Sequence, residues 1–282
     1  MTQTPTHDLT FTATEVCKRY VSWDRGEADR EWDCLTLLAE LAPGLAPRPL
    51  RRSTDDHAPV VVMERLRGTP LGGVPLTPAQ TTSLGSALRR LYAVPHEAIL
   101  DAGITERRNG PATLPHDVTE WLSDSYDLTQ CHQPGLVDAA VGAALAWLAR
   151  SDSLPPPQLV ALGIADLNPA NIIWDGQACR LVDFEDGGLT DPAYELADHA
   201  EHIAGRLGRT SRTNPVARRI LDPEALADAV RLSLEQRERM QCYRPLFAAF
   251  WLAKLLPGNS GFRKNPPGTT EAQAHYLLEL LG

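Results

Sequence analysis

Lysine is scarce in this chain: Lys18, Lys254 and Lys264 are the only three in 282 residues, while arginine is plentiful. Against that bias, a lysine kept inside a strand-like segment stands out. Cysteine is sparse too, and Cys17, Cys34, Cys131, Cys179 and Cys242 are scattered and odd in number. Such spacing argues against a disulfide framework or a zinc cluster and suits buried, reduced thiols. No apolar run approaches the length of a membrane span. Residues 1–14 are polar and threonine-rich, without a hydrophobic signal core, so a cytoplasmic protein is expected. Positive charge is in deficit, with a formal net charge of -9. That balance argues against nucleic acid as a partner and leaves room for a cationic small molecule. Glycine is missing from the front, where the first is Gly26.

What is present describes an ordinary globular chain, 43% apolar and 22% charged, long enough for two lobes. Residues 9–13 and 15–22 are rich in Thr, Val, Phe and Tyr and predict two strands. Trp32, Leu35, Leu38 and Leu41 recur at helical spacing, which predicts a helix over residues 27–41. Pro43, Pro47 and Pro49 end it in a loop. The valine run in residues 58–63 predicts a strand buried on both faces. A turn-rich junction follows, with Arg67, Gly68, Thr69 and Pro70 and then Gly72 and Gly73.

Beyond the junction the chain reads as mainly helical. Thr77 and Pro78 open a helix to about Tyr92, residues 136–150 form another, and Asp222 caps a third. Residues 244–256 are apolar nearly all round and predict a buried helix. Three short strand-like runs, residues 159–162, 172–174 and 180–184, interrupt this half. The expected organisation is α+β and bilobal, with a small β-rich lobe over residues 1–66 and a larger, mainly helical lobe over residues 67–282. A cleft between them is the natural ligand site.

Chemistry concentrates around those short strands. Asp166 and Asn171 precede one strand, Asp183 ends the next, and a tight hairpin at Asp175 and Gly176 joins the two. The hairpin brings Asn171 and Asp183 together, with Asp166 nearby, a set of oxygen donors suited to magnesium. Phosphoryl transfer needs such a metal site, an Asp for the attacking hydroxyl and often a lysine on the phosphates. Asp-x-x-x-x-Asn followed downstream by Asp-Phe fits the catalytic and metal loops of the kinase fold.

Residues 163–197 resemble the signature of the aminoglycoside phosphotransferase and choline kinase-like family, of protein-kinase-like fold. The family pattern is His-Gly-Asp-x-x-x-x-Asn, a hairpin, Ile-Asp-Phe/Trp-Glu, then Asp-Pro and a helix. This chain supplies Asp166, Asn171, Asp183-Phe184-Glu185 and Asp191-Pro192 at the start of a helix. Leu91-Tyr92-Ala93-Val94-Pro95 is similar to the family's Leu-His-x-Val-Pro, and residues 61–68 resemble its hinge strand. The resemblance implies a small-molecule kinase that moves the γ-phosphate of ATP or GTP, with Mg2+, onto a hydroxyl. Its acceptor would be an aminoglycoside, another antibiotic or a metabolite alcohol. By the same resemblance Asp166 is the catalytic base, and Asn171 and Asp183 hold the metal. Lys18 contacts the nucleotide phosphates, and Glu31 stands where the family places that lysine's partner. The backbone at Glu64 to Leu66 would meet the nucleotide base, and Asp191 would cap a bracing helix. Glu31 also fits a plain charge on an exposed helix face. The acceptor pocket is expected among Trp121, the helix carrying Asp198 and the helix of residues 243–251.

Two departures bear on these expectations. The family's His-Gly is Ile164-Ala165 here, and no glycine-rich hairpin precedes Lys18, so the phosphate clamp is expected to be absent or shortened. Both motivate an alternative, a catalytically inactive binding protein on the same fold. A metal-dependent hydrolase is disfavoured, because no histidine is expected in the cluster. Asp198, His199, Glu201 and His202 could meet substrate, but the solvated face of their helix is the better reading.

Overall fold

The computed structural model describes residues 7–21, 24–72, 74–150, 154–206 and 220–282. The strand end expected at Ser22 and the turn residue Gly73 lie outside them. The chain starts with β1 (His7–Phe11), β2 (Glu15–Tyr20), α1 (Glu27–Leu41), β3 (Pro49–Asp55) and β4 (Ala58–Glu64). These strands form one antiparallel sheet in the order β1-β2-β4-β3, in which Lys18 on β2 lies between Leu9 on β1 and Val61 on β4. Val61, Val62 and Met63 are buried in succession, as a strand covered on both faces requires. On α1 the buried stripe runs through Glu31, Cys34, Leu35 and Leu38. Glu31 therefore sits on the apolar, sheet-facing stripe of its helix.

β3 was expected as a loop. Its residues past Leu50 are polar and exposed, and Pro49 sits at its first position, where an edge strand tolerates it. Asp56 (φ 46°) and His57 (φ 64°) make the two-residue turn into β4, both in the left-handed region as a type I′ hairpin turn needs.

The chain then runs through β5 (Thr69–Pro70), α2 (Pro78–Tyr92), α3 (His96–Asp101), α4 (Leu114–Ser123), α5 (Pro134–Leu148), β6 (Ala161–Gly163), β7 (Ile172–Trp174), β8 (Cys179–Leu181) and β9 (Gly188–Thr190). It closes with α6 (Pro192–Glu201), α7 (Ile203–Arg206), α8 (Pro223–Val230), α9 (Leu234–Leu255), α10 (Ser260–Lys264) and α11 (Thr269–Leu281). β5 adds to the β7–β8 hairpin, β6 pairs with β9, α6 packs on α9, and α11 packs on α5 and α9. Gly68 (φ 120°) lets the linker lie against β7, where a Cβ would stand 2.4 Å from the Trp174 carbonyl oxygen. The β7–β8 turn falls at Asp175 and Gly176 as expected. Asp175 Oδ1 accepts from the N–H groups of Gln177 (2.9 Å) and Ala178 (2.8 Å).

α9 begins ten residues before the expected helix. Its polar opening carries no apolar period, but a capping box between Ser233 and Gln236 starts it, and Pro245 is carried inside. No helix among the described residues is long and apolar enough to cross a membrane. The small antiparallel sheet joined to a larger helical part is the bilobal, α+β arrangement of protein kinases.

Candidate active site

Strand β2 delivers Lys18 to the inner face of the sheet, and α1 delivers Glu31 opposite it. The lysine is 3% exposed, with Nζ 2.7 Å from Glu31 Oε2, 2.5 Å from Asp183 Oδ1 and 2.8 Å from Glu185 Oε2. Tyr20 also donates its hydroxyl to Glu31, and Glu31 Oε1 accepts from the Phe184 N–H at 3.3 Å. Glu31 is thus paired and buried, and it tethers α1 to the loop after β8. Burial works against the Lys18 charge, but the carboxylates around it raise its pKa well above the usual value. Burial pushes the Asp183 carboxyl up, to about 6, against the pull of Lys18. Glu185 is half-buried, which works against its charge, yet His7 and Lys18 hold it down at about 2.

The loop between β6 and β7 carries Asp166 and Asn171. Asn171 Nδ2 donates to the Asp166 carbonyl at 3.0 Å, and the Asn171 carbonyl accepts from Val182 N–H at 3.0 Å, next to Asp183. Backbone and side-chain bonds thereby join all three expected polar residues in one chain of contacts. Asn171 Oδ1 and Asp183 Oδ2 have no hydrogen-bond partner among the described residues, so two hard oxygen donors remain available. One oxygen each from Glu31, Asp183 and Glu185 also lies within 4.8 Å of the others. This donor set fits magnesium.

Lys18, Glu31, Glu64, Leu66, Asn171 and Asp183 all line one cavity of about 440 Å³, within the range of small-molecule sites. Leu9, Phe11 and Val16 give it an apolar roof. Leu66 keeps its backbone N–H and carbonyl unpartnered among the described residues. Asp166 opens instead into a second cleft, of about 150 Å³, with Asp198, His202, Phe250 and Trp251. Trp121 stands one wall further out, its ring 6.0 Å from Phe250, and lines a neighbouring opening that shares Asn109 and Asp186 with the cleft.

The helix after Asp191 departs from expectation. Asp191 caps it through Oδ1 and the Ala193 N–H at 2.9 Å, but Asp198, His199, Glu201 and His202 are buried rather than solvated. The two acids find partners in distant segments. Arg107 reaches Glu195 at 3.1 Å and Asp198 at 2.5 Å, while Arg244 reaches Glu201 at 2.7 Å. Arg107 also donates to the Ala165 carbonyl at 3.1 Å, and Glu195 Oε1 accepts from the Ile164 N–H at 2.7 Å. The backbone before Asp166 is therefore braced at the two positions where the family carries His-Gly, at Ile164 by Glu195 of α6 and at Ala165 by Arg107. Ala165 holds a left-handed φ of 67° there.

Histidine is not absent either, since His202 Nε2 stands 3.2 Å from Asp166 Oδ1. Burial disfavours the Asp166 charge, but the His202 contact outweighs it and keeps the carboxyl below its usual pKa. Sequence reasoning missed Arg107, for which no local signal exists, and read His202 as a solvated residue or a substrate contact rather than as a partner of Asp166. It also missed the part played by Glu185, which stands two residues after Asp183 in the quoted motif.

A hairpin does precede Lys18, with its tip at Thr12–Thr14 and no glycine. Thr12 Oγ1 accepts from the N–H groups of Thr14 (3.3 Å) and Glu15 (2.9 Å), and Thr12 N–H bonds the Glu15 carbonyl at 2.9 Å. The clamp is shortened, and its amides are largely engaged within the turn.

Among solved structures the chain resembles a choline/ethanolamine kinase family protein from Mesorhizobium loti, 18% identical, TM-score 0.60, covering 99% of this chain and 85% of that one. It also resembles choline kinase LicA from Streptococcus pneumoniae, 16% identical, TM-score 0.57, covering 99% and 90%. Spectinomycin phosphotransferase APH(9)-Ia, in complex with ADP and spectinomycin, is 11% identical with a TM-score of 0.59, covering 98% and 85%. No curated protein sequence matches significantly. Identities this low show the fold alone. The family model of the phosphotransferase enzyme family, however, matches residues 13–242. With that match over most of its length, the chain belongs to the phosphotransferase enzyme family and is a small-molecule kinase.

Proposed function

We propose that the chain moves the γ-phosphate of ATP or GTP to a hydroxyl of a small molecule, with Asp166 as the base. The carrying observation is the position of Asp166 between two cavities. It opens into the cleft of Trp251 and His202, while Asn171, bonded to its carbonyl, lines the cavity of Lys18 and Asp183. Acceptor and donor would then meet across one loop. Asp166 accepts the hydroxyl proton as the acceptor oxygen bonds to phosphorus and the bridging oxygen leaves with the diphosphate. Lys18, fixed by Glu31, steadies the phosphates, and the backbone at Glu64 and Leu66 meets the base. Asn171 and Asp183 would hold magnesium, which when bound neutralises phosphate charge.

The lobes meet between residues 66 and 67 in this reading, and the protein works in the cytoplasm on an aminoglycoside, another antibiotic or a metabolite alcohol. Antibiotic resistance is one role that fits. The engaged amides of the β1–β2 turn would lend little to nucleotide phosphates and motivate a second reading, a catalytically inactive binding protein on the same fold. A panel of alcohol-bearing antibiotics and metabolites, incubated with labelled ATP or GTP and magnesium, separates the two. Transfer should fall about 100- to 10,000-fold in Asp166→Asn. No transfer to any acceptor, with no melting shift on adding ATP or GTP and magnesium, would leave the binder standing.

A further inference from the structure

We propose that His202 is a positioning residue for phosphoryl transfer, donating a hydrogen bond that dedicates one oxygen of Asp166 to structure and leaves the other as the base. The role rests on the phosphotransferase reading. His202 ends α6 and is 9% exposed, and its backbone N–H bonds the Asp198 carbonyl at 2.8 Å. Its ring packs edge-on against Trp251 with centroids 4.8 Å apart. The two ring nitrogens have separate tasks. Nδ1 accepts from the Ala204 N–H at 3.3 Å, which requires a lone pair there and puts the proton of the neutral ring on Nε2. Nε2 faces Asp166 Oδ1 at 3.2 Å, so the contact is an N–H donor meeting a carboxylate.

Asp166 Oδ1 also accepts from the Asn168 N–H, at 3.1 Å. Two donors thus converge on one carboxylate oxygen, while Oδ2 has no partner among the described residues. A carboxylate held this way cannot rotate freely about its Cβ–Cγ bond, and its unengaged oxygen stays directed to the cleft where the acceptor would sit. Hydrogen bonds from the fixed ring and the loop backbone replace reorganisation at the moment of proton transfer. Glu195 and Asp198 of α6 are themselves tied to Arg107, and Arg107 and Glu195 bond Ala165 and Ile164, so the helix that ends in His202 is anchored beside the start of the loop that carries Asp166.

The test compares His202→Leu, which removes the donor, with His202→Gln, whose amide N–H reaches a similar point. Turnover is read as hydrolysis of magnesium–ATP, with water in the acceptor's place. The Leu variant should lose on the order of 10- to 100-fold in kcat with the KM for ATP within about twofold, and Gln should recover to within about threefold. Melting curves and nucleotide binding of both variants check folding. A Leu variant with wild-type kcat, a Gln variant as slow as Leu, or a change confined to KM overturns the proposal. Nitrogen-15 histidine spectra give an arm independent of turnover. They should show His202 protonated at Nε2 and bare at Nδ1, and the opposite tautomer refutes the donor assignment. A wild-type protein that neither hydrolyses ATP nor phosphorylates any alcohol sinks the enzyme reading and the role in turnover together, while the spectra still decide the hydrogen bond.

Discussion

Arg107→Met is the perturbation that tests most directly how the catalytic loop is held. The guanidinium is buried with two carboxylates, Glu195 at 3.1 Å and Asp198 at 2.5 Å, and also bonds the Ala165 carbonyl. Methionine fills a similar volume but strands both acids in a space closed to water. Breaking a buried charge network from one side costs about 3–5 kcal/mol. Unfolding entropy of about 2.1 cal/mol/K per residue over 282 residues converts 1 kcal/mol into roughly 1.7 degrees. Calorimetry at pH 7 should therefore show a melting temperature lower by roughly 5–8 degrees. Adding Glu195→Gln and Asp198→Asn removes the stranded charges and should recover much of the loss. Acidification should shrink the deficit of the single variant, because its unpaired carboxylates take up protons. Melting within a degree of wild type, or a triple variant no better than the single one, refutes the view that Arg107 compensates buried charge.

Lys18→Met leaves Glu31, Asp183 and Glu185 facing one another, so ATP turnover should fall by about 100-fold or more, and melting should become more sensitive to added magnesium. The tetrapeptide ending in Asp166 offers a matched pair. A Cβ on Gly163 would stand 2.1 Å from Glu195 Oε2, so Gly163→Ala should destabilise in urea titrations. Ala165→Gly relieves a left-handed alanine at φ 67° and should leave stability equal or higher by about 0.5–1 kcal/mol. Glu195 titrates at about 2 when folded against 4.5 ordinarily, since His199, Arg107 and the Ile164 N–H outweigh its burial. Its folded value is depressed, so its contribution, on the order of 3 kcal/mol, is complete above pH 4.5 and disappears as pH falls toward 2. Urea midpoints of wild type and Glu195→Gln should converge across that window, and a constant gap would contradict the linkage.

Much of the fold was legible because it rests on local patterns. The valine run of β4, the stripe of Leu35 and Leu38 on α1 and the Asp175–Gly176 turn each carry their own period or turn chemistry. Glu31 was ambiguous as a charge, although its place four residues before Leu35 puts it on the buried stripe. β3 was hidden because an edge strand needs no apolar face, and the opening of α9 because its polar residues face solvent. Six of the seven expected site residues line one cavity, Asn171 and Asp183 because spacing along a hairpin translates into proximity, and Lys18, Glu31, Glu64 and Leu66 through β2, α1 and the end of β4. The burial of α6 was not legible. Four charged or imidazole side chains at its end read as a wet face until Arg107 and Arg244, far off in the chain, are seen to pair with the two acids, Asp198 and Glu201. His202 shares that cause, because it meets Asp166 only through tertiary packing.

A turn whose amide hydrogens already bond within itself has few to lend a polyanion. On the proposed reading, the β1–β2 connection would roof the triphosphate without gripping it. Retention of the donor would then fall on Lys18 and whatever cation accompanies the nucleotide.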